Sequence, residues 1–366
     1  MIIQKFKKLV KHPGIFFRDF FVKRYPITNC EQQYSEQEEY SVYMVDEKIN
    51  TIESRLRSSE DIDVDVIYTW VNDKDPNWIE KRKKYSSDNV ACSNSADKAR
   101  FENHNELYYS ILSVKKNIPW VRNIYIITDS QKPDWLIEDE QVKIIDHKEI
   151  IDAEYLPTFN SHVIEAHLHN IEGLAENFIY FNDDVFVAKP LEKEHFFKKN
   201  GVASIFVADK SLRRMEEKGV YTATLQASKN SNTLLKEKFG MRVDLPLVHT
   251  YVPLKKSSYE YYWKENKDII ESFLSNKYRG EDDLNMATFL VPWSMYLNGE
   301  SVIKSDICYY FNIRSNHALA QYKKILAMKL NGTPPHSFCI NDVKASPHSI
   351  QDYMLRVTNF LNRYYC

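Results

Sequence analysis

Asn177-Phe-Ile-Tyr-Phe-Asn-Asp-Asp184 runs a short apolar and aromatic stretch straight into an amide and two adjacent acids. Asn177–Phe181 reads as a buried strand, being short, aromatic-rich and free of glycine and proline. Working outward, Val64–Trp70, Asn123–Thr128 and Val142–Asp146 have the same character and read as three more strands. Between them lie two stretches of helical period. Glu106–Asn117 sets Leu107, Ile111, Leu112 and Val114 on one face and stops before Pro119. His162–Leu174 sets Ile164, Leu168, Ile171 and Leu174 inward, with Gly173 near its end. Strand, helix, strand, strand, helix, strand predicts an α/β fold with a mostly parallel sheet. Ligands bind such sheets beyond the carboxyl ends of the strands. Those ends lead to Trp70-Val71-Asn72, Asp129-Ser130-Gln131, His147 and Asn182-Asp183-Asp184.

Adjacent acids at the end of a buried strand repel each other unless something neutralises them. Asp183 and Asp184 are therefore expected to hold a hard divalent cation, Mg²⁺ or Mn²⁺, which takes one or two carboxylates together with phosphate oxygens. A solvated strand-end turn is the plainer alternative. Arg279 and Asp283 stand four residues apart. The arginine can fork onto a phosphate, though the spacing alone also describes a surface ion pair. His249 sits in the apolar stretch Leu247–Pro253, and Asn341-Asp342 ends another short apolar run. Either is ordinary in isolation. His162, Glu165, His167 and His169 crowd one segment, but no HEXXH is present and no third zinc ligand is evident.

Composition bounds the function classes. The chain has 366 residues, enough for about two domains, with 43% hydrophobic and 27% charged residues. Only 8 glycines are present, with no GxGxxG and no GxxxxGK[ST], which argues against a dinucleotide fold or a P-loop. The cysteines, Cys30, Cys92, Cys308, Cys339 and Cys366, are scattered without a CxxC, as expected in a reducing cytosol. No run approaches the ~18 apolar residues of a membrane span, and no signal-peptide core stands out. Residues 1–24 carry a net charge of +6 and the remainder −8. Basic residues there alternate with Ile2, Ile3, Phe6, Leu9, Val10, Ile15, Phe16, Phe17, Phe20 and Phe21, so an amphipathic segment on an anionic membrane surface is expected. Packing against the protein's own body is the alternative. Residues 25–60 read as a linker, Asp282–Leu297 and Asn316–Leu330 as helices. Ser346-Pro347 reads as the capped start of a last one. The expected organisation is a basic segment and linker at 1–60, an α/β core at 61–200 and a completing region with a helical C-terminus at 201–366.

Four ordered regions resemble the Stealth family of sugar-phosphate transferases. They are Ile62–Pro76, containing Tyr-Thr-Trp-Val-Asn; Arg100–Asp184, through Asn105-Glu-Leu, Ile126-Ile-Thr-Asp129 and Leu156-Pro-Thr-Phe159; the stretch holding His249, Arg279 and Asp283; and Cys339-Ile-Asn-Asp342. The resemblance covers about residues 62–362. It departs at Asn72, where relatives carry aspartate, and at Tyr108 and Leu112, where they carry arginines. It implies a glycosyltransferase-A-like nucleotide-sugar-binding core with a helical elaboration. It also implies transfer of hexose-1-phosphate from a UDP-hexose such as UDP-GlcNAc to a hydroxyl of a growing capsular glycan, with release of UMP. The residues implied as catalytic are His249, Arg279, Asp183, Asp283 and Asp342. Those implied to bind substrate are Trp70, Asn72, Asp75, Glu106, Asp129, Asn182 and Asn341. A metal-dependent glycosyltransferase releasing UDP is the rival chemistry, and a non-catalytic glycan- or lipid-binding scaffold the rival class. A cytoplasmic protein, peripheral at the inner face of a bacterial membrane, is expected. No nucleic-acid partner is expected, and a homo-oligomer is compatible with the sequence.

Overall fold

The computed structural model describes residues 9–24, 62–85, 105–137, 139–342 and 352–366. The central sheet has five strands: β1 (Val64–Thr69), β2 (Ile124–Thr128), β3 (Val142–Asp146), β4 (Asn177–Asn182) and β7 (Val252–Lys255). Their order is β3-β2-β1-β4-β7; the first four run parallel and β7 closes the edge antiparallel to β4. β1, β2 and β4 are buried along almost their whole length, which explains their unbroken apolar sequence. The four strands expected from sequence form, in the parallel arrangement expected.

A second sheet starts where the first stops. β5 (Val185–Val187) follows β4 after the two acids. It pairs antiparallel with β10 (Ser337–Asn341), which runs parallel to β9 (Cys308–Asn312). Helices Ala318–Leu330 and Tyr353–Tyr365 pack on this sheet through Tyr322, Ile325, Phe360, Leu361 and Tyr364, forming the helical elaboration. A short parallel pair, β6 (Ala203–Ile205) with β8 (Ser301–Ile303), lies to the side. Both larger sheets draw strands from either side of residue 200.

Three expectations change. His162–Leu174 is not one helix: Ser161–Glu165 is α-helical, a turn follows, and Leu168–Asn170 is 3-10. The inward residues expected there are still gathered, with Leu168, Ile171 and Leu174 buried, because short turns can bury the same side chains as one long helix. Asp282–Leu297 begins as a loop and becomes a π-turn at Met286–Leu290 before the α-helix Val291–Leu297. Asn285 caps that π-turn by accepting from the Thr288 N–H. In the helix Pro13–Arg24 the apolar residues are not gathered on one face, and Ile15, Phe17, Phe20 and Phe21 are exposed. The 17-residue helix Ala223–Phe239 was not foreseen. Thr222 caps its start, and Gly240, at φ 69°, supplies the left-handed stop that favours glycine. The linker at 25–60, Arg100-Phe101 and the Ser346-Pro347 cap lie outside the described residues. Among the described residues no helix is long and apolar enough to cross a membrane.

Candidate active site at the seam of two sheets

The register Thr69↔Asn182 aligns the ends of β1 and β4. The pair Tyr180↔Val252 brings the segment before β7 alongside the same end from the other side. Trp70 and His249 therefore flank Asp183-Asp184. The two acids themselves bridge the sheets: the Asp184 carbonyl accepts from the Ile340 N–H at 3.0 Å, joining them to β10.

The environment drives the two carboxyl groups apart. Burial raises the Asp183 pKa well above the carboxylate range, and the charges of Asp184 and Glu106 add to this, against opposing backbone hydrogen bonds. Burial acts on Asp184 in the same sense. There, however, the His249 charge and hydrogen bonds from His249, Cys339 and Asn341 outweigh it, and Asp184 lies below its ordinary value. His249 mirrors this, since burial would lower it but Asp184 raises it. Its Nε2 is 3.5 Å from Asp184 Oδ1 and 3.5 Å from Asn182 Nδ2. The His249 side chain is 41% exposed although closely surrounded by protein, as expected of a cleft wall.

The donor set suits a hard cation. Asn341 Oδ1 is buried without a hydrogen-bond partner among the described residues, and the buried Asp184 Oδ1 has only the long 3.5 Å contact with His249, so both oxygens have room for a water or an ion. Together with the acid pair Asp183/Asp184, the nearby Glu106 charge makes the locality anionic. These residues fit Mg²⁺ or Mn²⁺. No donor cluster forms around Glu165 and His169 among the described residues. His169 instead stacks on Tyr259 at 5.3 Å, and burial, aided by His167, pulls its pKa down to about 3.

Arg279 approaches from another layer. Its Nε and Nη2 donate to Ser161 Oγ at 3.2 and 2.6 Å, and Nη1 donates to Thr224 Oγ1 at 3.1 Å. Its partners are hydroxyls, with no carboxylate among the described residues. A guanidinium held in this way keeps its full charge for an anion. The buried Tyr180 hydroxyl ties the layers together. It hydrogen-bonds Thr69 Oγ1 at 3.0 Å and Asn182 Oδ1 at 3.1 Å, and feels the charges of Glu165, Arg279 and Asp183.

Two acids expected to be catalytic are occupied elsewhere. Asp283 is fully buried. Its Oδ2 contacts Asn160 Nδ2 at 2.9 Å and His162 Nδ1 at 2.8 Å, and its Oδ1 accepts from Asn276 Nδ2 at 2.9 Å. It binds the Arg279 loop to the helix that carries Ser161. Asp342 receives both Nε and Nη2 of Arg314, whose guanidinium lies 4.6 Å over the Tyr353 ring. Neither carboxylate faces the doublet as a free group, because each is matched to a partner distant in sequence.

The expected substrate residues form a second cluster at the ends of β1 and β2. Gln131 clasps the loop after β1: its Oε1 accepts from the Asn72 N–H at 2.8 Å, and its Nε2 donates to the Asn72 carbonyl and Asp75 Oδ2, both at 3.0 Å. The Gln131 bond holds Asp75 below its ordinary pKa. Asp129 pairs with Lys81 at 2.7 Å. Trp70 is buried with its Nε1 unpartnered among the described residues. Asn105 and Ser130 adopt φ of 66° and 55° beside Glu106 and Asp129. Backbone strain of this kind concentrates at functional sites.

Sequence reasoning weighed Glu165 only as a zinc ligand and gave Cys339 no role. Glu165 is buried and its charge reaches Tyr180 and His249, yet its carboxylate takes no hydrogen bond among the described residues. Cys339 directs its thiol at Asp184 Oδ2, 3.2 Å away. Helical crowding was a signal for Glu165; nothing local marked Cys339.

Residues 63–90 match the model of Stealth protein conserved region 1, and residues 100–205 that of conserved region 2. The capsular polysaccharide phosphotransferase fcs1 of Haemophilus influenzae is 54% identical over 99% of this chain and 100% of its own length. The capsular polysaccharide phosphotransferase LcbA of Neisseria meningitidis is 51% identical over the same shares. Among solved structures, the glycosyltransferase GlyE of Streptococcus pneumoniae covers 83% of this chain and 63% of its own at 10% identity and TM-score 0.37. The galactosyltransferase LgtC covers 81% and 95% at 11% identity and TM-score 0.35. TM-scores this low carry no functional conclusion.

Proposed function

The chain belongs to the Stealth family of capsular polysaccharide phosphotransferases, and on that premise we propose that it transfers hexose-1-phosphate from a UDP-hexose, such as UDP-GlcNAc, to a hydroxyl of a capsular glycan. One observation carries the reading: the half-exposed His249 stands 3.5 Å from Asp184, while Arg279, whose charge acts on Tyr180 together with that of Asp183, has hydroxyl partners only. Phosphoryl transfer needs positioning, charge neutralisation and a base for the attacking hydroxyl.

Mg²⁺ or Mn²⁺ held by Asp183 and Asp184 would supply charge neutralisation on the donor diphosphate. His249 takes the acceptor proton on Nδ1, while Asp184, which faces Nε2, orients the ring and stabilises its cation. Arg279 faces the transferred phosphoryl group, and Asp283 holds its loop in place. Glu106, Asp129, Asn182 and Asn341 orient sugar or cation ligands, and the clasped loop Trp70–Asp75 meets the nucleotide. The sugar's bond to phosphorus stays intact, the bond between the two phosphorus atoms' bridging oxygen and the β-phosphorus breaks, and UMP leaves. Peripheral binding at the cytoplasmic face fits the exposed Phe17, Phe20 and Phe21 beside a net charge of +6. Flotation with anionic liposomes, with and without residues 1–24, tests that location.

The reaction is tested with purified protein, Mg²⁺, a panel of UDP- and GDP-sugars and capsule oligosaccharides. UMP together with a new phosphodiester ³¹P resonance supports the reading. UDP without that resonance means attack at the anomeric carbon, and removes the roles given to His249 and Arg279.

A further inference from the structure

Asp184, His249 and Cys339 present one oxygen, one nitrogen and one sulfur ligand atom, all within 4.8 Å of one another. The thiol lies 3.2 Å from Asp184 Oδ2, and His249 Nε2 lies 3.5 Å from Oδ1. On a tetrahedral Zn²⁺, with bonds of about 2.0–2.3 Å, neighbouring ligand atoms stand roughly 3.3–3.5 Å apart. The two short distances are to different oxygens of the carboxylate, and with one atom from each residue the set spans no more than 4.8 Å, so side-chain rotation of about an ångström closes it on a zinc ion. The Asn341 amide donates to Asp184 Oδ2 at 3.2 Å through Nδ2, while its own Oδ1 is buried and unpartnered among the described residues.

We propose that Asp184, His249 and Cys339 form a binding site for a thiophilic divalent ion, of which Zn²⁺ is the type, overlapping the hard-cation site but distinct in its ligands. Mg²⁺ is bound by oxygen and leaves the thiol as a hydrogen-bond donor to Asp184. A softer ion takes the sulfur and nitrogen together. Its binding sends the Cys339 proton to solvent and occupies Nε2 of His249, which confines the ring proton to Nδ1. Zinc is therefore an inhibitor that acts by removing the base, in competition with the working cation, and chelation reverses it.

The fixed backbone supports the arrangement. Cys339 is held by the ladder pair Val185↔Cys339, one residue from the Asp184 carbonyl that binds the Ile340 N–H. His249 is anchored where its carbonyl accepts from Cys308 Sγ at 3.6 Å. Cys339 lies within β10, Asp184 between β4 and β5, and His249 three residues before β7, so the backbone already fixes the three ligands and little ordering is required to close on an ion.

The inference uses the site of the proposed reaction, but its test needs neither donor nor acceptor. Metal-free full-length protein is titrated with Co²⁺, whose absorption reports ligand type, and with Zn²⁺ against a fluorescent chelator. The expected result is a near-ultraviolet sulfur-to-cobalt band in the wild type. Cys339→Ser should lose that band and weaken Zn²⁺ binding beyond the 10–100-fold that loss of a mere supporting partner causes. Absence of the band at saturating cobalt, or its survival in Cys339→Ser, overturns the proposal. If Cys339→Ser does not fold, His249→Gln decides: a band retained with cobalt binding weakened at least about tenfold supports the site, and unchanged cobalt affinity overturns it. Either failure leaves UMP release to be decided by its own assay.

Discussion

Asp283→Ala separates a carboxylate that builds the site from one that acts in it. The substitution deletes the partner of Asn160, His162 and Asn276 in a fully buried position. A hydrogen bond to a charged group contributes about 1.5–3 kcal/mol, and removing one member of a buried charged network costs about 3–5 kcal/mol because the remaining groups are stranded. A loss of about 4 kcal/mol corresponds to a fall in Tm of roughly 8–16 °C for a cooperative unit of ~150–250 residues. Differential scanning calorimetry measures that fall, and Asp283→Asn, which keeps the shape and one acceptor, should lie between the two. Activity should drop through the displaced Arg279 loop. In a double-mutant cycle Arg279→Ala with Asp283→Ala should therefore lose little more turnover than Arg279→Ala alone. A melting temperature within about 1 °C of wild type, or kinetic losses that simply add, would refute the positioning role.

His249→Gln should lower kcat/KM by about 10²–10⁴-fold. In the wild type kcat/KM should climb with pH through a midpoint above 6.5, since Asp184 raises the His249 pKa; a pH-independent rate contradicts the base. The same coupling predicts stability against pH from urea midpoints. The His249 share is complete below about 6.5 and lost as pH rises through the raised folded value. The Asp184 share is present above about 3.8 and lost as pH falls through its depressed value. Gly280→Ala places a Cβ 2.5 Å from Asn276 Nδ2 and 2.7 Å from Asp282 Oδ1, so the Asn276 amide must leave Asp283. Turnover should fall with little change in the binding of nucleotide alone, measured by calorimetry. Asp342→Ala removes the carboxylate to which Arg314 Nε and Nη2 donate and should cost about 2 kcal/mol in urea unfolding, with KM for donor moving less than kcat/KM does in His249→Gln.

Much of the donor half was legible because it depends on local sequence. β1, β2 and β4 are buried on both faces and have no choice but to be apolar, and the acids after β4 stand out against that background. The catalytic completion was less legible. His249 and Arg279 are unremarkable within their own segments; the strand pair Tyr180↔Val252 brings the His249 segment alongside the doublet, and Arg279, held by Ser161, is linked to it only through its charge on Tyr180. Their significance came from family resemblance rather than spacing. The partners of the two remaining acids were out of reach for the same reason: Asp283 finds His162 121 positions away, and Asp342 finds Arg314 28 positions away, so the i, i+4 spacing of Arg279 and Asp283, which alone also describes a surface ion pair, says nothing of what holds either carboxylate. Cys339 was hidden because a small buried thiol in a strand looks like any other core residue.

The seam between the sheets also sets when the enzyme comes into being during synthesis. The doublet ends at residue 184, but Cys339 and Asn341, which hold Asp184, emerge last among its partners. At ~5–20 residues per second a ribosome needs roughly 8 to 30 s to cover that interval. Throughout it the nascent chain displays an acid pair with neither its amide nor its thiol in place. A message broken between β7 and β10 therefore yields no slow or partial catalyst. It yields a chain with the strands of its central sheet and an unfinished active site.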